Sequence, residues 1–472
     1  LHALATRLGK QHLEWTITRG LVHHGVPEAS EETTEPLAAL EEVTRRTESA
    51  IFTFKDLHPF LREPGVVRRL RDVARALKVS YKTVILLGPV LELPPELEKD
   101  VTVVDYRLPS RDEIRKLLQR TIESIGDDDR VDASVTHEQL EELISAAQGL
   151  TAVEIDNVLH KSLVEKGRLD VDVVADEKRQ TIRKSGVLEY VEAVEQFADV
   201  GGLDALKDWL RKRAGAFSQA AREFGLPYPK GILLLGVQGC GKSLTAKAVS
   251  SLYRLPLLRL DVGRIFSGIV GSSEQRARRA MRIADCVAPA VLWVDEIDRG
   301  FAGTESSAFS DAGTTSRVFA GFVTWLQEKD SPVFVIATAN DVSNLPPELV
   351  RKGRFDEIFF VDLPSTRERE EILCIHLAKR DRRPEDFDLA RLAQEAAGFS
   401  GAEIEQAIIS ALYDAFYEGR DIVTEDIARA IRQTRPLSQT MRENIQALRE
   451  WARERARPAS VTAETKQEQE RG

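Results

Sequence analysis

The segment GVQGCGKS, Gly236 to Ser243, constrains this chain more than any other feature. It directly follows the apolar run GILLL and precedes the helical pattern LTAKAVSSLY. Glycines in such a turn let successive backbone N–H groups face inward around phosphate oxygens, and the helix that follows presents its positive N-terminal end. Lys242 then reaches the β and γ phosphates and the Ser243 hydroxyl ligands Mg2+, while Gly236, Gln238, Gly239, Cys240, Gly241 and Leu244 border the phosphates. A plain glycine turn between strand and helix is the competing reading, which the complete spacing disfavours. Cys240 is read as a tolerated small residue, because the sequence offers no base or cation to activate a thiol there.

A second signal is LWVDEID, an apolar strand ending in Asp295 and Glu296. One carboxylate at such a strand end can hold the Mg2+ shell while its neighbour polarises a water for in-line attack on the γ phosphate. Two adjacent acids alone mean little. About fifty residues after a phosphate loop, they complete a site. Asp298 is read as a surface or capping residue rather than a metal ligand.

Around these motifs, short apolar runs alternate with amphipathic segments from about Phe197 to Asp362, which predicts a parallel sheet covered on both faces, an α/β fold with its ligand at the strands' carboxyl ends. The expected divisions are a linker at 186–196, an α/β core at 197–364, a helical lid at 365–435, a C-terminal helix at 436–460 and a disordered tail at 461–472. The run RVFAGFVTWL is read as core.

The first 185 residues echo this order. LPPEL occurs at 93–97 and 345–349, LPSRDEIRKLL resembles LPSTREREEIL, and GLTAVEIDNVL resembles GFSGAEIEQAI. We read residues 1–185 as a degenerate copy of the same α/β domain and lid. IFTFKDLHPF, at 51–60, stands where the second copy has LWVDEIDRGF, with Lys55 and Asp56 at the acidic positions and no phosphate loop before them. A loop upstream of Leu1 is left open. Asp56 and His58 are read as a solvated strand end rather than an acid and base pair.

Bulk properties exclude several classes. At 472 residues and 52.7 kDa, two or three domains are expected. No run approaches the roughly 20 apolar residues of a membrane span, and the N-terminus carries no secretory pattern, so a cytoplasmic or organelle-stromal location is expected. Cys240, Cys286 and Cys374 have no paired spacing and are read as reduced thiols. A net charge of -10 argues against a nucleic-acid partner.

From Phe197 to about Thr434 the sequence resembles the AAA family of the AAA+ ATPases. FADVGGL is similar to the family's entry segment, which implies adenine contacts by the backbone near Asp199, Val200 and Gly201. Asn340 in ATAN matches the sensor asparagine that places the attacking water. LVRKGRFD is similar to the family's second region of homology, which implies that Arg351 and Arg354 face the γ phosphate of a neighbouring subunit. GFSGAEI resembles the start of the lid helix, with Gly401 and Ala402 nearest the ribose. The resemblance implies ATP and Mg2+ as cofactors, catalytic roles for Glu296, Lys242, Asn340, Arg351 and Arg354, self-association as a hexamer, and a protein client that the sequence does not name. SGIVGSSE matches the central pore loop, but Ile269 stands where threading members carry an aromatic, which puts processive unfolding in doubt. The duplicated first domain and the tail PLSQTMRENIQALREWARERARPAS resemble an AAA group first recorded as a reading frame of algal chloroplast genomes. The leading expectation is an ATPase that remodels a protein partner; the alternative is an ATP-dependent interaction module with slow turnover.

Overall fold

A computed structural model describes the chain except for residues 90–92, 105, 107, 126–134, 185, 193–194, 267–271, 301–311, 344, 352 and 462–472. Ile269 therefore lies outside the described residues, as does the expected tail beyond Val461. The chain forms two compact units, Leu1–Arg107 and Leu108–Gly472. The boundary within the first 185 residues thus falls at residue 107, and the helices that follow it belong to the second unit.

The first unit is built on a four-stranded sheet of β1 (Gln11–Thr16), β2 (Gly20–His23), β3 (Ala50–Lys55) and β4 (Thr83–Leu87), in the order β2-β1-β3-β4. β1, β3 and β4 run parallel, and β2 pairs antiparallel with β1. β3 is buried on both faces from Ala50 to Phe54, as its place in the interior of the sheet requires. The helix Pro64–Leu77 presents Val66, Leu70 and Val73, one helical face, to the same core as Trp15, Phe52 and Phe54.

The second unit contains a seven-stranded sheet in the order β11-β10-β6-β9-β8-β7-β5. Its strands are β5 (Leu188–Val191), β6 (Gly231–Gly236), β7 (Leu257–Asp261), β8 (Ala290–Asp295), β9 (Val333–Ala339), β10 (Glu357–Val361) and β11 (Arg457–Pro458). All pairings are parallel except β5 with β7. Along β6 and β9, alternate residues enter two separate cores: Leu233, Leu235, Val335 and Ala337 on one face, Ile232, Leu234, Phe334 and Ile336 on the other. That alternation is why these strands read as unbroken apolar runs. The segment RVFAGFVTWL forms part of the helix Ala312–Glu328 and buries Val318, Phe319, Phe322 and Leu326.

Two helical bundles complete this unit. The earlier one comprises Arg111–Ile125, His137–Ala147, Ala152–Lys166 and Val171–Lys184, around Leu118, Ile144, Ile155 and Leu159. Gly149, at φ +92°, lies so close to the Cys286 carbonyl that a Cβ would sit 2.9 Å from its oxygen, so this turn needs glycine twice over. The later bundle, Thr366–Ala378, Leu389–Glu395, Gly401–Tyr417 and Thr424–Gln433, packs on Leu373, Leu377, Ile404 and Ile408. Ser365 and Ser400 start two of its helices with capping boxes.

The C-terminus departs from a single expected helix. After the helices Leu437–Thr440 and Arg442–Arg455 the chain extends and adds β11 to the sheet edge, where Ala459 N donates to Phe360 O at 2.9 Å. A two-residue strand containing proline leaves no alternating pattern in a sequence, and an edge is where proline is tolerated.

The two sheets share a pattern. The order β2-β1-β3-β4, with its antiparallel first pair, repeats in β5-β7-β8-β9. Asp56 (φ 55°) follows β3 directly, as Glu296 (φ 48°) follows β8, so the same left-handed kink ends both strands. Among the described residues of Leu1–Arg107 no strand corresponds to β6, the strand that leads into the phosphate loop.

Candidate nucleotide site

β6 ends at Gly236, and after five loop residues the helix Lys242–Tyr253 begins with Gly241 as its N-cap at φ 87°. Gly239, at φ 77°, lies under the lid: a Cβ there would stand 3.0 Å from Ser400 Oγ. Its carbonyl accepts the N–H of Ala402 at 3.0 Å, so the loop and the lid helix are joined by a backbone bond. The loop borders a cavity of about 490 Å3 that both core and lid line.

Lys242 is 6% exposed, and its ammonium donates to the carbonyls of Gly236 and Val237 at 2.7 and 2.8 Å. Burial pushes its pKa down to about 8. A phosphate placed at the loop would replace carbonyl dipoles with full negative charge. Burial pushes the Cys240 thiol up to about 12, so it is no thiolate at neutral pH.

The acidic end of β8 sits beside this lysine. Asp295 Oδ1 lies 3.4 Å from Ser243 Oγ and accepts the Thr338 hydroxyl at 2.8 Å; its Oδ2 lies 3.2 Å from Arg259 Nη2. Arg259 in turn stacks over Trp293, 4.9 Å from the ring centre. Glu296 N donates to Thr338 Oγ1 at 2.9 Å, which fixes the kinked backbone. The Glu296 carboxylate meets Asn340 Nδ2 at 3.3 Å and Arg299 Nη1 at 2.8 Å. Lys242, Ser243, Asp295, Glu296, Thr338 and Asn340 all line the one cavity.

Asp298 is not a surface residue. It is 5% exposed, and its Oδ2 accepts the backbone N–H groups of Asn340 and Asp341 at 3.1 and 3.0 Å. Burial raises its pKa against the pull of those donors. The four-residue turn Ile297–Gly300 folds Asp298 back under the end of β9, where LWVDEID alone suggested a solvated turn. Thr338, Arg259 and Arg299 also escaped sequence reading. Thr338 had a signal: in ATAN it stands two residues before Asn340, on the same face of a strand.

At the other end of the cavity, Asp199, Val200 and Gly201 face the lid residues Ile372, His376 and Lys379, with Gly401 and Ala402 beside Gln238 and Gly239. The entry segment is tied to the lid: Gly202 N donates to Glu371 Oε2 at 3.0 Å, Leu203 N to Glu368 Oε1 at 3.2 Å, and Lys379 pairs with Asp199 at 3.2 Å. Leu244 completes the loop side, while Gly236 contributes its carbonyl to Lys242 from outside the lining. Arg351 and Arg354 do not line the cavity; Arg351 is exposed, and Arg354 keeps a buried Nε without a partner.

A nucleotide with Mg2+ fits these residues: a glycine cradle aimed at anions, a buried ammonium, and a hydroxyl beside a carboxylate as hard oxygen donors. A phosphate-binding loop, an acidic strand end and a lid closing on both define the class as a P-loop nucleotide site. The family profiles agree with that class. Residues 232–363 match the ATPase family associated with various cellular activities, and 386–428 the AAA+ lid domain. Residues 1–106 match the N-terminal domain, and 112–185 the second domain, of SpoVK-like AAA ATPases. The chain is 44% identical over 423 residues to the uncharacterized AAA domain-containing protein ycf46 of Guillardia theta, covering 88% of this chain and 82% of that one. It is 43% identical over 434 residues to the ycf46 protein of Pyropia yezoensis, covering 90% and 87%. A proteasome-activating nucleotidase of Aeropyrum pernix is 31% identical over 345 residues, covering 69% and 81%. The chain belongs to the AAA ATPase family, in the group of the ycf46 proteins.

Proposed function

We propose that this protein binds ATP with Mg2+ between core and lid and hydrolyses it, working as a ring oligomer that remodels a protein partner. The observation that carries the reading is the convergence of Lys242, Ser243, Asp295, Glu296 and Asn340 on one cavity closed by the lid. Lys242 holds the β and γ phosphates, and Ser243 and Asp295 hold the metal. Held there by Ser243 and Asp295, Mg2+ would supply positive charge to offset the charge that develops on the transferred phosphoryl group. Glu296, oriented by Asn340, accepts the proton of the attacking water. Asp199, Val200, Gly201, Gly401 and Ala402 border adenine and ribose.

Arg351 and Arg354 act on the γ phosphate of a neighbouring subunit in this reading, supported by their position outside their own cavity. Leu1–Arg107 and the helices at 111–184 are a degenerate copy of the ATPase module, supported by the shared strand order and the paired kinks at Asp56 and Glu296. Lys55 then occupies the position of the metal carboxylate, where an ammonium would repel the ion. A cytoplasmic or stromal location goes with the reading; no described helix is long and apolar enough to cross a membrane.

The second reading, a nucleotide-dependent interaction module with slow turnover, is favoured by the ion pair between Glu296 and Arg299, which must open before Glu296 can act as a base. Sedimentation and phosphate release measured together separate the two. The motor reading expects assembly with ATP and turnover stimulated by a protein. Assembly with ATP and turnover that no protein raises would replace it with the module.

A further inference from the structure

Residues 436–460 leave the lid and cross back to the core. At the lid, Leu437 N donates to Glu403 Oε1 at 2.7 Å, on the first turn of the helix Gly401–Tyr417. At the core, Leu448 and Ala452 of the helix Arg442–Arg455 are buried in one cluster with Leu233 and Leu235 of β6. The segment thus joins the two parts whose meeting forms the nucleotide cavity.

It also grips the short connection between them. Residues 362–365 link β10 to the lid's first helix, Thr366–Ala378. Arg449 sets Nε and Nη2 on the two oxygens of Asp362 at 2.8 and 2.9 Å, a fork that fixes direction as well as distance. Beyond β11, Ser460 Oγ donates to Glu368 Oε1 at 2.5 Å. Glu368 belongs to the first turn of the lid helix, and its oxygens also accept Leu203 N at 3.2 Å and Ser365 N at 2.8 Å. Burial raises its pKa, but the hydrogen bonds from Ser460, Ser365 and Leu203 hold it below the usual carboxylate range, so a charged group stands at the junction.

Between these two grips, Ala459 is 1% exposed and its carbonyl accepts Leu206 N at 3.0 Å, which ties in the helix Asp204–Arg211 behind the entry segment. Asp362, Glu368 and Ser460 all line the nucleotide cavity. Asp362 stands on the core side of the connection and Glu368 on the lid side. β11 is fixed to β10, whereas Glu368 travels with the lid, so a swing about residues 362–365 stretches the bond from Ser460.

On the reading that nucleotide binds between core and lid, we infer that residues 436–460 form a clasp on the core–lid hinge. Arg449 and Ser460 are its positioning residues: they brace Asp362 and Glu368 in the cavity wall, and breaking their grip is a step in nucleotide release. Hinged closure of this kind concentrates its motion in a few residues, and the opening of a lid often limits turnover.

Stopped-flow displacement of methylanthraniloyl-ADP from the full chain reads the release rate. Ser460→Ala should raise it about tenfold, the range of one hydrogen bond to a charged group, and Arg449→Met about threefold, because that ion pair is half-exposed. Together they should raise it about thirtyfold, with the association rate changed less than about twofold. Ser460→Thr keeps the hydroxyl and should restore the parent rate, a rescue tied to the grip on Glu368. Release at the parent rate in both variants, or an effect confined to association, would overturn the clasp and leave the nucleotide site standing. A parent chain that bound no nucleotide would take down the site and the clasp together.

Discussion

Replacing Asp298 by alanine tests whether a residue that touches neither nucleotide nor metal sets the geometry of hydrolysis. The Asp298 carboxylate holds two consecutive N–H groups, those of Asn340 and Asp341, in a setting only 5% exposed. Hydrogen bonds to a charged group contribute about 1.5–3 kcal/mol each, and the freed N–H groups can recover part of that from water. We expect about 2–4 kcal/mol of lost stability and a shift of the β9 end that carries Asn340 away from Glu296, now 3.3 Å distant. Displacing a positioned catalytic group by an ångström costs on the order of 10²-fold. Steady-state phosphate release should therefore show kcat falling about 30- to 100-fold, with KM for ATP changed less than about threefold. Asp298→Asn keeps a carbonyl that can accept both N–H groups and should recover most of the loss. A kcat within about threefold of the parent in Asp298→Ala, or a loss confined to ATP binding, would refute the positioning role.

Lys242 stands at about 8 in the folded protein, below its ordinary 10.5, so the folding penalty from this group is complete below about pH 8 and disappears as pH rises past 10.5. Phosphate restores the charge, so ATP binding at pH 8.5 should take up a fraction of a proton, read as a binding enthalpy that varies with buffer ionisation; identical enthalpies in all buffers would contradict it. Arg351→Ala or Arg354→Ala subunits should bind nucleotide yet fail to hydrolyse it, and mixing them with Glu296→Gln subunits should restore some turnover; mixtures that stay inactive would remove the cross-subunit role. Titration with a slowly hydrolysed ATP analogue should give one equivalent per chain, abolished by Lys242→Ala, because β6 has no counterpart among the described residues of Leu1–Arg107. A second equivalent that survives Lys242→Ala would show a site in the first copy.

The phosphate loop and the acidic strand end were legible because their function demands particular residues at fixed spacing, and such patterns survive in one dimension. The repeat was legible for a related reason: turns such as LPPEL at 93–97 and 345–349 keep their residues because backbone shape depends on them. What escaped depends on three-dimensional return. Asp298 reaches the end of β9 only because a short turn brings it back, and Arg259 reaches Asp295 across a strand pairing whose register no local pattern encodes. The close of the chain escaped because β11 exists only where β10 offers it an edge. Order along the chain groups the helices at 111–184 with the strands before them as one copy of domain and lid, while the compact units divide at residue 107, a packing property that no local pattern encodes.

If Glu296 is the base for ATP hydrolysis at this site, phosphate release by Glu296→Gln, measured beside its ATP affinity, must separate chemistry from binding. The glutamine keeps the shape and the contact to Asn340 but cannot accept a proton, so affinity should stay within about threefold while turnover falls on the order of 10²-fold or more. Turnover near that of the parent protein, with ATP bound normally, would take Glu296 out of the base role.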